Sequence, residues 1–154
     1  MDLLVAVAAS IVAALALARS SVRMIVVRGA SMEPTLPAGC RVPALRRWPR
    51  RWLRRGQVVL LSGVPDAAAG SIVVKRVAGI GGQTVDVPAT RRAYERLDTF
   101  VPEPYRLRLA PGEIYVLGDN AAGVDSRDWG PIAAGAVVGL VLPRLAVPPQ
   151  AAAP

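Results

Sequence analysis

The 154-residue sequence contains no histidine, a single cysteine and a single lysine. The absence of histidine excludes a Ser-His-Asp triad and removes the commonest metal ligand of proteins. The lone Cys40 can form neither an internal disulfide nor a cysteine-based zinc site, and its apolar character favours burial as a small hydrophobic side chain. We therefore expect no metal ion and no cofactor.

Lysine is almost missing from a strongly basic chain. Lys75 is the only lysine among 19 basic residues, and the formal net charge is +8. Arginine keeps its proton in proteins, whereas a buried lysine can lose it. Lys75 is therefore a candidate base, and the positive charge suggests an anionic partner, either lipid headgroups or nucleic acid.

The N-terminal segment 3–18, LLVAVAASIVAALALA, is apolar and uncharged. As a helix it would span about 24 Å, slightly less than the ~30 Å hydrocarbon core of a bilayer. A cleavable signal peptide is the alternative, because Ala16-Leu17-Ala18 resembles a cleavage site, but no positive charge precedes the segment. We favour an uncleaved single-pass membrane anchor over residues 1–20. The arginines that follow it would, by the positive-inside rule, place the rest of the chain in the cytoplasm.

After the anchor the pattern changes to short β-type runs, and the chain carries 14 glycines and 14 prolines. No long helical periodicity appears. Residues 24–145 are therefore predicted to form an all-β domain, a partly open barrel or a sandwich, and the tail 146–154 is predicted to be disordered. The predicted strands cover residues 24–28, 58–62, 71–77, 84–87, 105–109, 113–117 and 136–142.

A basic segment at 41–55, RVPALRRWPRRWLRR, contains seven arginines, two tryptophans and no acidic residue. Arginine can bind phosphate and tryptophan can stack on bases, so nucleic-acid binding is one interpretation. A solvated loop is a second, and a membrane surface with anionic lipid is a third. The adjoining anchor favours lipid, and we expect no nucleic acid. The residues assigned to this surface are Arg46, Arg47, Trp48, Arg50, Arg51 and Trp52.

Two separate residues could provide nucleophilic chemistry without histidine. Ser31 follows Gly29-Ala30 in a turn-rich segment, GASMEPTL, and Lys75 follows the apolar run 72–74. Burial lowers the pKa of a lysine because the charged form loses its hydration. A neutral Lys75 could then take the proton of Ser31 as it attacks a carbonyl, and the backbone N–H of Ser31 could stabilise the oxyanion. Taken singly, Ser31 is an ordinary turn residue and Lys75 an ordinary strand residue, so the interpretation depends on their occurring together.

Four segments in order resemble the motifs of type I signal peptidases, which are membrane-anchored Ser-Lys endopeptidases. They are GASMEPTL (29–36), RGQVVLL (55–61), KRVAGIGGQ (75–83) and GDNAAGVDSRDWGPI (118–132). The resemblance runs from about residue 28 to residue 142. The short chain is similar to short actinobacterial members and to organellar inner-membrane peptidases.

The resemblance implies a fold of antiparallel β-sheets and a defined activity. The expected reaction is removal of signal peptides from exported preproteins after small residues, in the Ala-x-Ala sense, with Ser31 as nucleophile and Lys75 as general base. An extended preprotein substrate would add to a sheet edge. The implied location is the cell membrane with the catalytic domain on the extracytoplasmic face, contrary to the arginine distribution.

The resemblance also assigns residues that support the site. Gly29 provides no hydroxyl where some relatives carry serine, so the oxyanion would depend on backbone donors. Residues 121–124 contain no hydroxyl, so a backbone carbonyl or Ser126 would orient Lys75. The supporting residues are Gly29, Met32, Asp119, Asn120, Asp125, Ser126 and Arg127.

Three other functions fit parts of the pattern. One is a specialised maturation peptidase with one dedicated substrate. Another is a catalytically silent, membrane-anchored β module that binds anionic lipid or another protein. The last is a self-cleaving Ser-Lys regulator bound to DNA, which the anchor and the lack of a recognisable DNA-binding helix pair disfavour.

Overall fold

The computed structural model describes residues 5–7, 10, 21–46, 48–88 and 104–149. Nine strands occur within these ranges, together with a one-turn helix, α1, and three short 3-10 helices. The strands are β1 (Val22–Val26), β2 (Arg41–Leu45), β3 (Val58–Ser62), β4 (Ile72–Ile80), β5 (Thr84–Val87), β6 (Tyr105–Arg108), β7 (Glu113–Leu117), β8 (Ile132–Ala133) and β9 (Val137–Val141). Helix α1 is Ser126–Trp129, and the 3-10 helices are Arg50–Trp52, Ala134–Ala136 and Pro143–Leu145.

Seven strands form one antiparallel sheet in the order β1-β2-β9-β3-β4-β7-β8, and β5 pairs with β6 in a separate ribbon. Three strands lie between β1 and β4, yet residues at the end of β1 and the start of β4 line the same cavity. The sheet therefore curls into an open half-barrel. This architecture confirms the predicted antiparallel, partly open all-β domain.

The predicted strands all occur: β3, β5 and β7 have the predicted bounds, and the other four have shifted ends. β4 runs on to Ile80 through a register shift between Val77 and Gly79. Two strands were missed. One is β2, which occupies the first third of the basic segment 41–55. Pro43 argues against a central strand there, because proline cannot donate a backbone hydrogen bond, yet β2 lies between β1 and β9. β8 has two residues, too few to give a pattern.

Hydrophobic residues of β3 pack on both faces of the sheet. Val59 and Leu61 belong to one core cluster, whereas Val58 and Leu60 belong to another. Alternate residues of a strand point to opposite faces, so a strand with four consecutive apolar residues is suited to lie between two cores. Cys40 is buried in the second cluster, as predicted, and burial raises the pKa of its thiol.

The predictions for the two chain ends concern residues that the structure describes only in part. The predicted anchor, 3–18, lies largely outside the described residues. Among the residues that are described, no helix has the length and apolar character needed to cross a membrane. Within the tail predicted to be disordered, Val147 instead pairs with Arg41: each backbone N–H donates to the other's carbonyl, at 2.9 and 2.7 Å. Residues 150–154 are outside the described part.

Candidate active site

Ser31 lies in the turn that joins β1 to β2. Gly29 precedes it with φ +78, a left-handed conformation that favours glycine. Met32 and Leu36 follow it and are fully buried, and the N–H of Leu36 donates to the carbonyl of Met32 at 2.8 Å. The buried Met32 therefore anchors the turn in the core while the adjacent Ser31 stays partly accessible.

The loop after β7 holds the Ser31 turn from the other side. The backbone N–H of Asn120 donates to the carbonyl of Ser31 at 3.1 Å, and the Asn120 side-chain Nδ2 donates to the carbonyl of Ala30 at 3.1 Å. Two glycines allow this close approach. A Cβ at Gly118 would lie 2.5 Å from the carbonyl oxygen of Ser31, and a Cβ at Gly123 would lie 3.0 Å from the Ser31 Cβ.

Lys75 lies on β4 opposite Val59, and 3% of its surface is exposed. Burial is the largest influence on this amine and lowers its pKa below the usual value of a lysine. The nearby carboxylates of Asp125 and Asp128 act in the opposite direction, whereas the Arg127 guanidinium lowers the pKa further. The net effect favours a neutral amine, which is the form that a general base requires.

Asp125 organises the segment beside Lys75. It is fully buried and caps α1: one carboxylate oxygen accepts from the backbone N–H of Arg127 at 3.0 Å and the other from that of Gly118 at 2.7 Å. The Arg127 guanidinium donates to both oxygens, at 2.9 and 2.7 Å. Burial alone would raise the pKa of Asp125, but these hydrogen bonds hold it below its usual value. The charge pair is therefore a buried brace that joins α1 to the end of β7.

A second ion pair, which the sequence did not predict, fixes the far side of the loop. Arg76 donates from Nε and Nη2 to the two carboxylate oxygens of Asp119, at 2.7 and 2.6 Å, and from Nη1 to the carbonyl of Gly56 at 2.9 Å. The hydrogen bonds from Arg76 lower the pKa of Asp119. Arg76 directly follows Lys75, and side chains alternate along a strand. Two features of the sequence could have indicated this ion pair. Arg76 is adjacent to Lys75, and no other partner was predicted for Asp119.

Ser126 is buried, and its hydroxyl accepts from the backbone N–H of Val116 at 3.0 Å. Neither the Ser31 hydroxyl nor the Lys75 amine makes a hydrogen bond to another residue in the described part of the chain. The group near the amine is instead the indole of Trp129, whose ring centroid lies 6.0 Å from Nζ. The orienting role predicted for Ser126 remains a prediction.

Ser31 and Lys75 line one cavity of about 620 Å³. Its walls are mainly apolar and come from the end of β1, the start of β4 and residues Met32 and Leu60. Such a cavity suits small apolar side chains. In the ranges that the structure covers, no three Cys, Asp or Glu side chains come together as a metal site would need.

The segment assigned to a lipid surface divides into two parts. Trp48 packs partly against the core and forms an edge-to-face contact with Trp52, at 5.5 Å between ring centroids. Arg50, Arg51 and Trp52 are exposed, and the Arg51 guanidinium lies 5.1 Å from the Trp52 ring centroid. Arg46 is also exposed, whereas residue 47 is outside the described part. Trp48 is therefore half-buried, with part of its indole against the core.

The fold and this cavity define the class of protein: an antiparallel β domain in which a serine-bearing turn and a buried lysine share one cleft. A family model described as signal peptidase, peptidase S26, matches residues 1–105, more than half of the 154-residue chain. The chain therefore belongs to this family of serine peptidases. A crystal structure of a signal peptidase I from Enterococcus faecalis V583 is similar at 22% identity and a TM-score of 0.40, covering 57% of this chain and 95% of that one. Comparison with curated proteins gives no match.

Proposed function

We propose that the protein is a membrane-bound serine endopeptidase that removes signal peptides from exported preproteins after small residues, with Ser31 as nucleophile and Lys75 as general base. The observation that carries this proposal is the shared cavity: a partly accessible serine and a 3% exposed lysine line it together. The lowered pKa of Lys75 supports it, because a base must be neutral before it can take a proton.

The proposed reaction proceeds in two steps. Ser31 Oγ attacks the scissile carbonyl carbon while Lys75 Nζ takes the hydroxyl proton, and the lysine then passes that proton to the leaving amine. The acyl-enzyme is released by a water molecule whose proton goes to Lys75, and Ser31 recovers its hydroxyl proton from the lysine. The backbone N–H of Ser31 would stabilise the oxyanion, because Gly29 has no side chain to contribute.

Two unpaired strand edges support binding of an extended substrate. Among the described residues, the edge strand β1 pairs only with β2, so its other edge has no partner. In the same part of the chain, β7 pairs with β4 only from Arg76 onward, which leaves the outer edge of 72–75 without a partner. Both edges border the cavity. A peptide that enters between them could form backbone hydrogen bonds on both sides, and alternate side chains would point into the apolar walls. Small residues such as alanine fit those walls best.

The proposed location is the cell membrane, single-pass, with the catalytic domain on the extracytoplasmic face where exported preproteins arrive. The contact of the catalytic domain with anionic lipid would come from Arg46, Arg50, Arg51 and Trp52, which we call the basic surface. The backbone N–H of Arg46 donates to the carbonyl of Ser21 at 2.8 Å. The basic surface therefore begins where the N-terminal apolar segment enters the β domain, which is the level expected of headgroups.

Cleavage of a preprotein with an Ala-x-Ala site by the detergent-solubilised full chain tests the proposal. Ser31→Ala and Lys75→Ala should abolish cleavage. Lys75→Arg is the sharper variant, because it keeps the charge but cannot act as a base, and it should also be inactive. Ser71→Ala, at the residue just before β4, is a matched control that should remain active. Full activity of Lys75→Arg would exclude the dyad.

A specialised maturation peptidase would use the same chemistry. It predicts cleavage of one preprotein and none of a panel of unrelated preproteins with Ala-x-Ala sites. A catalytically silent module predicts no cleavage of any of them.

A further inference from the structure

The tryptophan that ends α1 connects the two walls of the cavity above Lys75. The ring of Trp129 lies with its centroid 6.0 Å from Lys75 Nζ. Its indole Nε1–H donates to Asp66 Oδ2 at 3.3 Å, and Asp66 belongs to the loop between β3 and β4. Both residues line the cavity. The indole therefore extends from α1 across to the β3–β4 loop, beside the amine.

Both ends of this connection are fixed by local structure. Asp125 and Asp128 form a reciprocal capping box at the start of α1, and Gly130 ends the helix with φ +77, so the backbone that carries Trp129 has little freedom. Asp66 has φ +58, the one positive φ outside glycine among the described residues. Asparagine and aspartate tolerate this conformation better than other residues, but it persists only where the surroundings hold it.

We propose that Trp129, held in place by Asp66, is a positioning residue that covers the Lys75 amine, excludes water from it and keeps it directed into the cavity. This inference rests on the proposed function for its catalytic meaning. Residues 121–124 contain no hydroxyl that could orient the Lys75 amine. In this proposal the Trp129 ring and the Asp66 carboxylate orient the amine instead.

The direction of the effect follows from two competing influences of the ring. An aromatic face attracts a cation, which would favour the charged amine, but this attraction fades beyond about 6 Å, the limit at which Trp129 lies. A large apolar ring also removes water from the amine, and burial is the largest influence on the Lys75 pKa. We therefore expect exclusion of water by the ring to outweigh the cation–π attraction, so that Trp129 favours the neutral base.

Several charged groups lie around the amine and must be separated from this effect. Asp125, Asp128 and Arg127 belong to α1 and its cap, and all three act on the Lys75 pKa. Arg28, two residues beyond β1, and Asp66, in the β3–β4 loop, also line the cavity. Arg76, which follows Lys75 on β4, is paired with Asp119.

The sign of one substitution distinguishes charge from position. By charge alone, loss of the Asp66 carboxylate would lower the Lys75 pKa, because a nearby negative charge favours the protonated amine. If Asp66 acts by holding Trp129, its removal lets water reach the amine and raises the pKa instead. Asp66→Asn removes the charge but keeps an oxygen that can accept the indole N–H.

The test uses the fact that Lys75 is the only lysine in the chain. Full-length protein labelled with ¹³C at the lysine ε-carbon gives one side-chain resonance, and its chemical shift against pH gives the Lys75 pKa without an activity assay. Trp129→Ala should raise that pKa by about one unit or more, which reduces the neutral fraction roughly tenfold at a pH below both values. Asp66→Ala and Trp129→Phe should each raise it by less, and Asp66→Asn should not raise it.

Asp86→Ala, which removes an exposed carboxylate on β5, is the matched control and should leave the Lys75 pKa unchanged. The double variant Trp129→Phe/Asp66→Ala should raise the pKa no more than either single variant, because both remove the same hydrogen bond. If Trp129→Ala does not fold, the titrations of Trp129→Phe and Asp66→Ala decide whether Trp129 lowers the Lys75 pKa. Unchanged pKa values in these folded variants, or a lowered pKa in Asp66→Ala, would overturn the proposal.

Cleavage kinetics give a second measurement. The acid limb of the pH profile of kcat/KM should move to higher pH in Asp66→Ala, and activity should return at alkaline pH. A loss of activity at every pH, with no shift, would indicate a purely structural role and would contradict the inference. If Lys75→Arg cleaves normally, the proposed function fails although the titration result stands. If the titration does not move, only the positioning role fails.

Discussion

The backbone N–H of Asn120 donates to the carbonyl oxygen of Ser31 at 3.1 Å, joining the loop after β7 to the turn that carries the proposed nucleophile. The two residues are far apart in the sequence. Their contact places the 118–123 loop against the back of the Ser31 turn, and the geometry of that turn therefore depends on side chains in the loop.

Asn120→Ala should lower kcat/KM with a modest loss of stability. The side chain donates to the carbonyl of Ala30 and accepts from the backbone N–H of Ala122 at 3.0 Å, so its removal frees the turn and the loop together. Each hydrogen bond contributes about 1 kcal/mol to stability, so the loss should be roughly 1–2 kcal/mol. Denaturant unfolding and cleavage kinetics measure the two effects. Wild-type kinetics in a destabilised variant would contradict the proposed link between loop and turn.

Gly123→Ala should reduce cleavage several-fold while the domain stays folded. The added Cβ would lie 3.0 Å from the Ser31 Cβ, closer than ordinary packing, so the Ser31 turn must give by a few tenths of an ångström. A misplacement of about 1 Å can reduce a rate roughly 100-fold, so this smaller shift should cost correspondingly less. Gly135→Ala is the matched control, because its Cβ would meet nothing within 4 Å and should leave the rate unchanged. Equal rates in the two variants would show that this contact does not position Ser31.

Lys75→Met should make the protein more stable at neutral pH and inactive. The folded state lowers the Lys75 pKa, so the unfolded chain binds more protons between that value and the usual lysine pKa of about 10.4. Wild-type stability should therefore rise with pH through this window, whereas Lys75→Met should lack that rise. Urea unfolding across the pH range measures it, with Arg108→Met on β6 as an exposed control that keeps the rise. Parallel curves for wild type and Lys75→Met would mean that the fold does not favour the neutral amine.

Replacing Arg46, Arg50 and Arg51 by glutamine should weaken binding of the full chain to vesicles of phosphatidylglycerol and phosphatidylcholine, but not to pure phosphatidylcholine. Each basic residue near an anionic surface contributes about 1 kcal/mol, so three should amount to roughly a 100-fold change.

The matched control replaces Arg106, Arg108 and Arg144 by glutamine. This triple variant has the same change of net charge at arginines outside the basic surface, and it should bind nearly as the wild type does. Added salt should reduce the difference between the two triple variants. Equal weakening by both would assign the effect to net charge and remove the case for a lipid surface at 46–52.

The sequence by itself determined the class of fold and the two central residues of the proposed chemistry. Short apolar runs separated by glycine and proline predict strands, because period-two alternation and turn residues are local properties of the chain. Lys75 stood out because it is the only lysine, and Ser31 because it follows Gly29 in a turn-rich segment. The strand β2 was missed because Pro43 is a local argument against a strand, whereas pairing with β1 and β9 is a long-range one.

Only the tertiary structure decided what surrounds those two residues. The curl of the sheet brings the end of β1 and the start of β4 to one cavity, whereas strand order alone would leave three strands between them. The contact of Trp129 with Lys75, and its hydrogen bond to Asp66, join residues from separate elements. Such contacts depend on how elements pack, which local periodicity does not encode, so the lysine could be recognised from the sequence but the residues around it could not.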